Sequence, residues 1–549
     1  MKQTTLSVTL EVEPGSSDRL SSLIEALKSQ EESPPHGVPE KYDRLKTAVP
    51  VLHFMSISVF PGWHYDPALV FEANFDGPPG VFWGQLEAAL GEQLRDMLRC
   101  CKRPRDEAGP LYDALTAAGS RTPVAPYFEA RTQRPSVFHH GNRGMTRQRI
   151  LDEGELFGAV RRALAEPPGG GPNPYRGIPA EQLHARVRDA VIADHRWLDE
   201  RAPARIPLGE RVGDLARLLA FVFAALLALS IPGLILAPLL PATRFAILFG
   251  VLALVVYAAI YRMHKPQPGT HAPRASGGLA FGSMKLITKV KTLLALAIFV
   301  AIYVAVTTAL IAALAVPLAG IGLRAALDAW WPNVLLALAV GIFFSAPALL
   351  LWLRWLERRD SSQDLPPTNA ELIREMASRE DWIPQNHMGS IVLVKPGVLR
   401  TALFRAGHLG LGLVLRVVAT DGYLGSMRTV HFAHWAFINN GSRLMFFSNF
   451  DHSWESYLDD FIEKAHGGLT LAWGSCVGFP PTRFLVLDGA SHGRKFKNWA
   501  RHSMAVSRFW YSAYRDYTVD QIERHARVAD GLRATKLSRG RAETWALDL

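Results

Sequence analysis

Residues 218–243 read LLAFVFAALLALSIPGLILAPLLPAT and contain no charged side chain. About 20 apolar residues in a helix cross the hydrocarbon core of a bilayer, so this stretch predicts a membrane-spanning helix. Three more uncharged stretches follow, at residues 245–261, 292–323 and 329–353. The first of these is slightly short, but Arg244 and Arg262 can extend from its ends to the headgroups. We therefore predict four membrane helices in two hairpins, residues 215–262 and 292–354.

The alternative is a buried helical core in a large soluble enzyme. Four such stretches in succession favour the membrane. The uncharged stretches contain no acidic residue, lysine or histidine, and ion or proton pathways usually need such groups. The block therefore predicts an anchor or a hydrophobic platform rather than a pump or a channel, with a transporter as a third alternative.

The charges that flank the four stretches predict the orientation. Lys and Arg are retained on the cytoplasmic side. They are concentrated before the first stretch, in the loop 263–291 and after the fourth stretch, whereas the opposite turns contain Arg244 and Arg324. The first residues, MKQTTLSVTLEVEP, lack the apolar core of a signal peptide. We predict an integral protein of the cytoplasmic membrane with both soluble parts in the cytoplasm.

Composition narrows the classes of function. The chain has 549 residues, a net charge of +10 and three cysteines. Much of the positive charge lies beside the helices, which suits anionic lipid headgroups. Zinc-finger spacing and compact basic motifs are absent from the sequence, so we expect no nucleic-acid partner. Three cysteines do not make a disulfide framework.

The two soluble parts contain an internal repeat. Each has a strand that ends in Pro-Gly, a strand with His-Phe, and a turn with Asn-Phe-Asp. In chain order, the matched segments are 10–15 with 392–397, 51–60 with 429–438, and 68–76 with 443–451. We also match Pro126–Ala130 with Phe509–Ala513 as a predicted strand, and Thr146 with Thr518 as helix N-caps. Residues 137–144, VFHHGNRG, are then a Gly-rich insertion in the first copy, predicted to form a loop.

Each copy is predicted to run strand, helix, strand, strand, helix, strand, which is the ferredoxin-like order. The Pro-Gly strand, the His-Phe strand and the Asn-Phe-Asp turn resemble the dimeric α+β barrel superfamily, in which two such units pair their sheets. The resemblance implies an α+β fold in which two ferredoxin-like domains form an intrachain pseudo-dimer. The predicted divisions are 1–165, 166–214 (a Pro/Gly linker and a juxtamembrane helix), 215–262, 263–291, 292–354 and 355–549.

The same superfamily includes dye-decolorising haem peroxidases, chlorite-dismutase-like proteins and cofactor-free monooxygenases. The resemblance therefore implies haem as a cofactor, or an oxidisable hydrophobic substrate. The peroxidases' Gly-x-x-Asp-Gly motif is incomplete, because Asp76-Gly77 lacks the leading glycine.

Seven residues are candidates for chemistry. His53 and His431 occupy matched strand positions and are predicted either to ligate haem or act as a base, or to bond to the neighbouring turn. Asp76 and Asp451 are predicted acid–base groups, with helix capping as the alternative. His139, His140 and Arg143 are predicted either to cover a pocket and contact an anion, or to be a solvated loop.

Two functions follow from the sequence. The first is a membrane-tethered oxidoreductase of peroxidase or monooxygenase type that acts on a hydrophobic substrate from the bilayer. The second is a non-enzymatic membrane protein whose paired domains bind a small molecule or act as a scaffold. An inward-facing histidine beside an open pocket would favour the first, and filled pockets would favour the second.

Overall fold

A computed structural model describes residues 3–32, 42–62, 65–165, 173–202, 204–265, 286–320, 322–361, 369–419 and 427–549. Most of the predicted basic loop 263–291 and the first part of the predicted linker, 166–172, lie outside these residues.

The described residues form eleven strands and eighteen α-helices, whose bounds are as follows. The strands are β1 (Gln3–Glu11), β2 (Leu52–Phe60), β3 (Ala68–Asp76), β4 (Thr132–Gln133), β5 (Val137–His140), β6 (Gln385–Leu393), β7 (Val430–Ile438), β8 (Arg443–Asp451), β9 (Thr482–Arg483), β10 (Leu487–Asp488) and β11 (Phe509–Ser512). The first helices are α1 (Ser17–Glu32), α2 (Asp43–Ala48), α3 (Pro79–Leu98), α4 (Gly109–Thr116), α5 (Ala125–Ala130), α6 (Arg147–Ala165) and α7 (Ala180–Val191). The apolar helices of the middle are α8 (Leu208–Leu236), α9 (Ala242–Met263), α10 (Leu286–Ala319), α11 (Leu323–Val340) and α12 (Ala346–Arg358). The last are α13 (Ala370–Ala377), α14 (Val398–Val418), α15 (Trp454–Trp473), α16 (Gly493–Ser503), α17 (Val519–Arg533) and α18 (Arg539–Ala546).

The fold is α+β with antiparallel sheets. The two large sheets have the strand orders β11-β2-β3-β1-β4 and β5-β7-β8-β6, and β9 pairs with β10 in a small separate sheet. The three long strands of each sheet come from one soluble half, as the matched sequence segments predict. The predicted strands that contain His53 and His431 are confirmed, and each is followed by a hairpin partner that ends in Asp76 or Asp451.

Each half gives its last strand to the sheet of the other half. Strand β5 pairs with β7, so that Val137 lies opposite Trp435 and His140 opposite Phe432. Strand β11 pairs with β2, so that Phe509 lies opposite Ile57. Because backbone hydrogen bonds join the halves in both directions, the two soluble parts form one folded unit.

This exchange corrects one match that the sequence predicts. Pro126–Ala130 is not a strand but lies in helix α5, with Pro126 in its first turn, where proline's missing N–H costs no hydrogen bond. Residues Val137–His140 are not a loop but strand β5, and they are the true counterpart of β11. The helix caps are confirmed, since Thr146 and Thr518 accept bonds from the backbone N–H groups of Arg149 and Gln521.

The two sheets pack face to face. The rings of Phe54 and Phe432 stack across the interface with centroids 6.3 Å apart, and those of Phe60 and Phe447 meet edge to face at 5.9 Å. One end of the interface is apolar, with Val70 among its buried residues. The other end contains buried histidines and a carboxylate. Such polar groups are stable in a core only when they are paired, and their partners define the candidate site.

The described residues contain five helices that are long and apolar enough to cross a membrane, where the sequence predicts four. By length and composition alone these are Leu208–Leu236 (α8), Ala242–Met263 (α9), Leu293–Pro317 (in α10), Leu323–Arg358 (α11 and α12 counted as one) and Val398–Val418 (α14). The additional one is α14, which the sequence predicts as a helix of the second soluble domain. It connects β6 to β7, and both strands pair with β8.

Small residues allow the apolar helices to approach each other closely. A Cβ placed on Gly233 of α8 would lie 2.5 Å from the Cα of Ala337 in α11. Nearby, the Tyr303 hydroxyl of α10 donates to Ser230 Oγ of α8 at 3.1 Å. Close backbone contact and interhelical hydrogen bonds are the interactions that hold helices together in lipid. The middle of the chain is therefore a packed helical bundle.

The exchanged strand gives a test at Gly141, which follows β5. Its N–H donates to the carbonyl of His431 at 2.8 Å, and a Cβ there would lie 2.3 Å from the carbonyl oxygen of Val430. Because the backbone of a paired strand cannot move easily, we expect Gly141→Ala to destabilise the protein by about 1–3 kcal/mol, measured as a lower thermal midpoint in detergent.

Gly158→Ala is the matched control. A Cβ at Gly158 would lie 3.5 Å from the end of the Arg162 side chain, which is flexible, and the position is inside helix α6. Alanine is the better helix former by up to about 1 kcal/mol, so this variant should be as stable as the parent or more stable. Equal stability of the parent and Gly141→Ala would contradict the strand exchange.

Candidate functional site

The matched histidines form two buried pairs with the matched aspartates. His53 Nε2 lies 3.1 Å from Asp76 Oδ2, and His431 Nε2 lies 2.7 Å from Asp451 Oδ1. All four side chains are at most 6% exposed. The bond to the neighbouring Asn-Phe-Asp turn, one of the two alternatives from the sequence, is therefore present in both copies.

Each aspartate also caps a helix. Asp76 Oδ2 accepts a bond from the backbone N–H of Arg147 at 2.8 Å, and Asp451 Oδ2 accepts one from Val519 at 2.8 Å. These are the first residues of α6 and α17, which follow the exchanged strands. The caps therefore act on helices distant in sequence, not on the helices that directly follow the two turns. A carboxylate at a helix N-terminus is also favoured by the helix dipole.

Tyr514 lies between the two pairs. Its hydroxyl is 2.9 Å from His53 Nδ1, and its ring is 5.9 Å from the His53 ring and 6.2 Å from the His431 ring. Burial raises the pKa of Tyr514 well above its usual value, so the hydroxyl keeps its proton and can donate it to Nδ1. Both imidazoles are thus enclosed by aromatic rings and carboxylates.

These surroundings do not fit haem. A haem iron needs an accessible ring nitrogen and a flat cavity beside it, but both Nε2 atoms face carboxylates. Phe54 packs against His431 with ring centroids 5.6 Å apart. Among the described residues, no group of three or more His, Cys, Asp and Glu side chains is arranged to hold a metal ion. We therefore derive no chemistry through haem at these two positions.

The second set of candidates lies on or after β5 and is largely buried. His139 and His140 are 3% and 6% exposed, and burial lowers the pKa of His139 to about 4 and that of His140 well below its usual value. Both imidazoles are therefore neutral at pH 7. His140 Nε2 lies 2.9 Å from Thr5 Oγ1 and 3.0 Å from Asn74 Nδ2, across the sheet interface.

Arg143 contacts helix α8 rather than an open loop. Its guanidinium binds Glu210 at 2.5 Å and Asp214 at 2.6 Å, and donates to the carbonyl of Arg416 at 2.6 Å. Two carboxylates already balance its charge. His140 and Arg143 do line a cavity of about 320 Å³, as the pocket prediction requires. The paired charge of Arg143 gives no support to contact with an external anion, and Arg143 instead joins the soluble unit to the first apolar helix.

A third histidine cluster surrounds a buried carboxylate between the sheets. Glu72 of β3 is 1% exposed. Its Oε2 accepts a bond from Ser56 Oγ at 2.6 Å and lies 3.2 Å from His387 Nε2, while its Oε1 lies 3.4 Å from His434 Nδ1. Burial raises the pKa of Glu72, but the two histidines outweigh burial and lower the pKa to about 2. Glu72 is therefore ionised.

His387 connects this carboxylate to a cavity of about 340 Å³. Its Nδ1 lies 2.6 Å from Ser507 Oγ, and both residues line the cavity. The other lining residues include aromatic side chains and cations, among them Tyr42, Trp382, Trp510, Lys28, Arg379 and Arg515. The cavity is formed by both halves of the chain, since Lys28 and Tyr42 come from the first half.

Sequence reasoning missed Glu72, His387 and Ser507. A signal existed for Glu72, because it is the one charged residue before Asp76 within the apolar segment ALVFEANFD of β3. His387 has the position in β6 that Thr5 has in β1, opposite the matched Asn449 and Asn74, so no repeat pattern marks it. Ser507 lies between α16 and β11, where no motif points to it.

Comparisons with protein-family models, curated proteins and solved structures found no match to this chain.

The histidine–aspartate pairs give a test of their structural role. Asp451→Asn replaces an acceptor oxygen by an amide donor that must face either His431 or the N–H of Val519. An unsatisfied buried polar group costs about 1–3 kcal/mol, so we expect a lower thermal midpoint of that size. Asp76→Asn should behave in the same way, because its contacts are equivalent.

Asp459→Asn is the control for loss of a surface charge. Asp459 is 59% exposed and pairs with Lys497 at 2.7 Å, and such surface pairs contribute at most about 1 kcal/mol. If Asp451→Asn were no more destabilising than Asp459→Asn, the pair would not be structural.

Proposed function

We propose that this protein is anchored in a membrane and uses its paired α+β unit to bind a small amphipathic anion. The observation that carries the binding proposal is the cavity between the two halves. Its volume of about 340 Å³ falls in the range of small-molecule sites. The membrane proposal rests on the apolar helices.

We propose the soluble unit as two ferredoxin-like domains paired as a pseudo-dimer. The strand order β2-β3-β1-β4 in the first half supports this, because it places two antiparallel neighbours in the centre as that fold requires. In the second half, the order β7-β8-β6 is equivalent. The exchanged strands β5 and β11 then join the two domains.

We propose four membrane crossings. Helix α14 is apolar, but β6 and β7 at its two ends lie in one sheet, so a single crossing by α14 would divide that sheet between two sides of the membrane. One face of α14 packs on the soluble unit, where His408 Nε2 bonds to the carbonyl of Ala472 at 2.9 Å. The other four helices return the chain to the side from which it left.

The positive charges favour the cytoplasm for the soluble unit. We expect that Arg324→Cys, in the turn opposite the soluble unit, reacts with an impermeant maleimide in intact cells. Glu107→Cys, which is exposed in the soluble unit, should react only after lysis. The background should be low, because Cys100, Cys101 and Cys476 are buried. Labelling of Glu107→Cys in intact cells would show that the soluble unit lies outside the cell and would contradict the proposed orientation.

The polar groups of the cavity favour an anionic ligand. Its two carboxylates already have partners, since Glu32 accepts from the Tyr42 hydroxyl at 3.0 Å and Glu380 pairs with Arg501 at 2.9 Å. Arg515 lies over the Tyr42 ring at 5.4 Å from the centroid. A cation beside an aromatic face can bind the charged end and the ring of one ligand.

The oxidoreductase hypothesis stays a prediction. Its two histidines are occupied by aspartates, so the described geometry favours the binding role. Oxidation without a cofactor of a hydrophobic molecule in the same cavity would still be compatible with the fold, since one fold hosts many chemistries.

Binding can be tested with 2-naphthoate, an aromatic carboxylate, by calorimetry on the full chain in lipid nanodiscs. We expect Arg515→Gln to weaken binding about tenfold, because a hydrogen bond to a charged group contributes about 1.5–3 kcal/mol. Arg494→Gln changes an exposed arginine outside the cavity lining and should leave the affinity unchanged.

The neutral amide 2-naphthamide has nearly the same shape as 2-naphthoate but no charge, so it distinguishes the contribution of charge to binding from that of shape. It should bind the parent more weakly than naphthoate and should be insensitive to Arg515→Gln. Equal affinities of the two compounds for the parent protein, or equal effects of the two arginine variants, would reject the proposed anion site.

A further inference from the structure

Ser507, His387 and Glu72 form a continuous chain of contacts that ends in the cavity. Ser507 Oγ lies 2.6 Å from His387 Nδ1, and His387 Nε2 lies 3.2 Å from Glu72 Oε2. The outer end of this chain, Ser507, is partly exposed, whereas His387 and Glu72 are 7% and 1% exposed. A hydroxyl, an imidazole and a carboxylate in this order are the parts of an activated serine nucleophile.

We propose that Ser507 is the nucleophile of an acyl hydrolase, with His387 as the base and Glu72 as the group that orients it. The substrate class is a carboxylic ester with an aromatic or apolar acyl part. This proposal rests on the proposed function in one respect, because it places the substrate in the same cavity. It goes beyond binding, since it assigns a covalent reaction to residues of both halves.

Glu72 determines the tautomer of His387. Because Glu72 is ionised, it can only accept a hydrogen bond, and in the tautomer that this mechanism requires the His387 proton lies on Nε2 and is donated to Oε2. Nδ1 is then an acceptor for the Ser507 hydroxyl, which is the arrangement that a general base needs. Ser56 Oγ donates to Glu72 Oε2 at 2.6 Å, and His434 Nδ1 lies 3.4 Å from Oε1, so the carboxylate has polar neighbours on both of its oxygens.

Rings fix the plane of the imidazole. Phe447 and Trp510 lie at centroid distances of 5.7 Å and 6.1 Å from His387, with interplanar angles of 32° and 23°. Trp510 is itself held by a bond from its Nε1 to Asn449 Oδ1 at 2.6 Å. The base is therefore held rigidly in the orientation that faces the serine, which reduces the cost of reaching a reactive geometry.

The reaction balances with the substrate and one water molecule. Ser507 Oγ bonds to the ester carbonyl carbon while its proton passes to His387 Nδ1, and the carbonyl π electrons move to the oxygen. The bond to the leaving alkoxide then breaks, and His387 returns the proton to that oxygen. Water bonds to the acyl carbonyl carbon and gives one proton to His387 Nδ1. The bond between that carbon and Ser507 Oγ then breaks, the acid is released, and His387 returns the proton to Oγ.

The developing negative charge would face a positive group. Arg515 lines the same cavity as Ser507, whereas Arg379, which also lines it, already pairs with Glu25 and Glu375. Cations near the carbonyl oxygen stabilise the anionic intermediate more than the neutral ester. The acid product is the class of molecule that the cavity is proposed to bind.

A structural role for the three residues is the alternative, in which Ser507 merely satisfies Nδ1 of a buried histidine. The test is covalent labelling of the full chain in nanodiscs with a fluorophosphonate probe, which phosphonylates activated serines, followed by peptide mass spectrometry. We expect a phosphonyl adduct on Ser507, and at least about a 100-fold loss of labelling in Ser507→Ala.

Ser503→Ala is the matched control. Ser503 is a partly exposed serine at the end of α16, and its hydroxyl donates to the carbonyl of Ala500 at 2.7 Å. This variant should label as fast as the parent. Glu72→Gln should slow labelling of Ser507, because the amide no longer holds the proton of His387 on Nε2.

Ser507→Cys and Ser503→Cys give a readout that a structural role would not produce. If His387 accepts the proton, the thiol at position 507 reacts with iodoacetamide at least about tenfold faster than the thiol at position 503, and His387→Gln abolishes the difference. No adduct on Ser507 of the folded parent together with equal rates for the two thiols would overturn the proposal. If naphthoate binds but Ser507 forms no adduct, the nucleophile is rejected and the anion site is retained. If Ser507 forms an adduct but naphthoate does not bind, the anion site is rejected and the nucleophile is retained.

Discussion

The rest of the structure depends on the exchange of β5 and β11 between the halves of the chain. An exchanged strand is held by backbone hydrogen bonds. Leaving its N–H and C=O groups unpaired in a buried sheet would cost much of the folding free energy. Both soluble parts must therefore lie on the same side of any membrane, and the chain between Ala165 and Gln385 has to cross it an even number of times. The exchange also places Ser507 of one half beside Glu72 of the other.

Buried charges connect the helical bundle to this unit. Asp214, near the start of α8, is 2% exposed and faces Arg143. At the end of the last helix of the bundle, Arg354 of α12 is 1% exposed and donates to the carbonyl of Met263 at 3.0 Å and to that of Thr482 at 3.0 Å. A buried ion pair costs much to break, because one partner is left uncompensated. The bundle and the sheets are thus held in one orientation.

Local patterns predict most of the long elements but not the pairing of the strands. The apolar helices, the His-Phe strands and the caps at Thr146 and Thr518 follow from periodicity and residue type. The aromatic residues of Pro126–Ala130 favour a strand, but proline is equally favourable in the first turn of a helix, and the structure has the helix. The glycines beside Val137–His140 predict a loop, and pairing with β7 makes these residues a strand. The constant spacing of six residues from His140 to Thr146 and from Ser512 to Thr518 is the sequence feature that matches β5 with β11.

Approximate twofold symmetry separates structural positions from chemical ones. His53 with Asp76 and His431 with Asp451 repeat, and both pairs cap the helix after an exchanged strand, so a shared structural requirement explains them. Glu72 does not repeat, since the position four residues before Asp451 is occupied by Phe447. A buried carboxylate at only one of two equivalent positions brings a desolvation cost that the other half avoids with a ring. The twofold symmetry therefore does not explain Glu72, and its contact with His387, which in turn meets Ser507 at the cavity, supports the proposed chemical role.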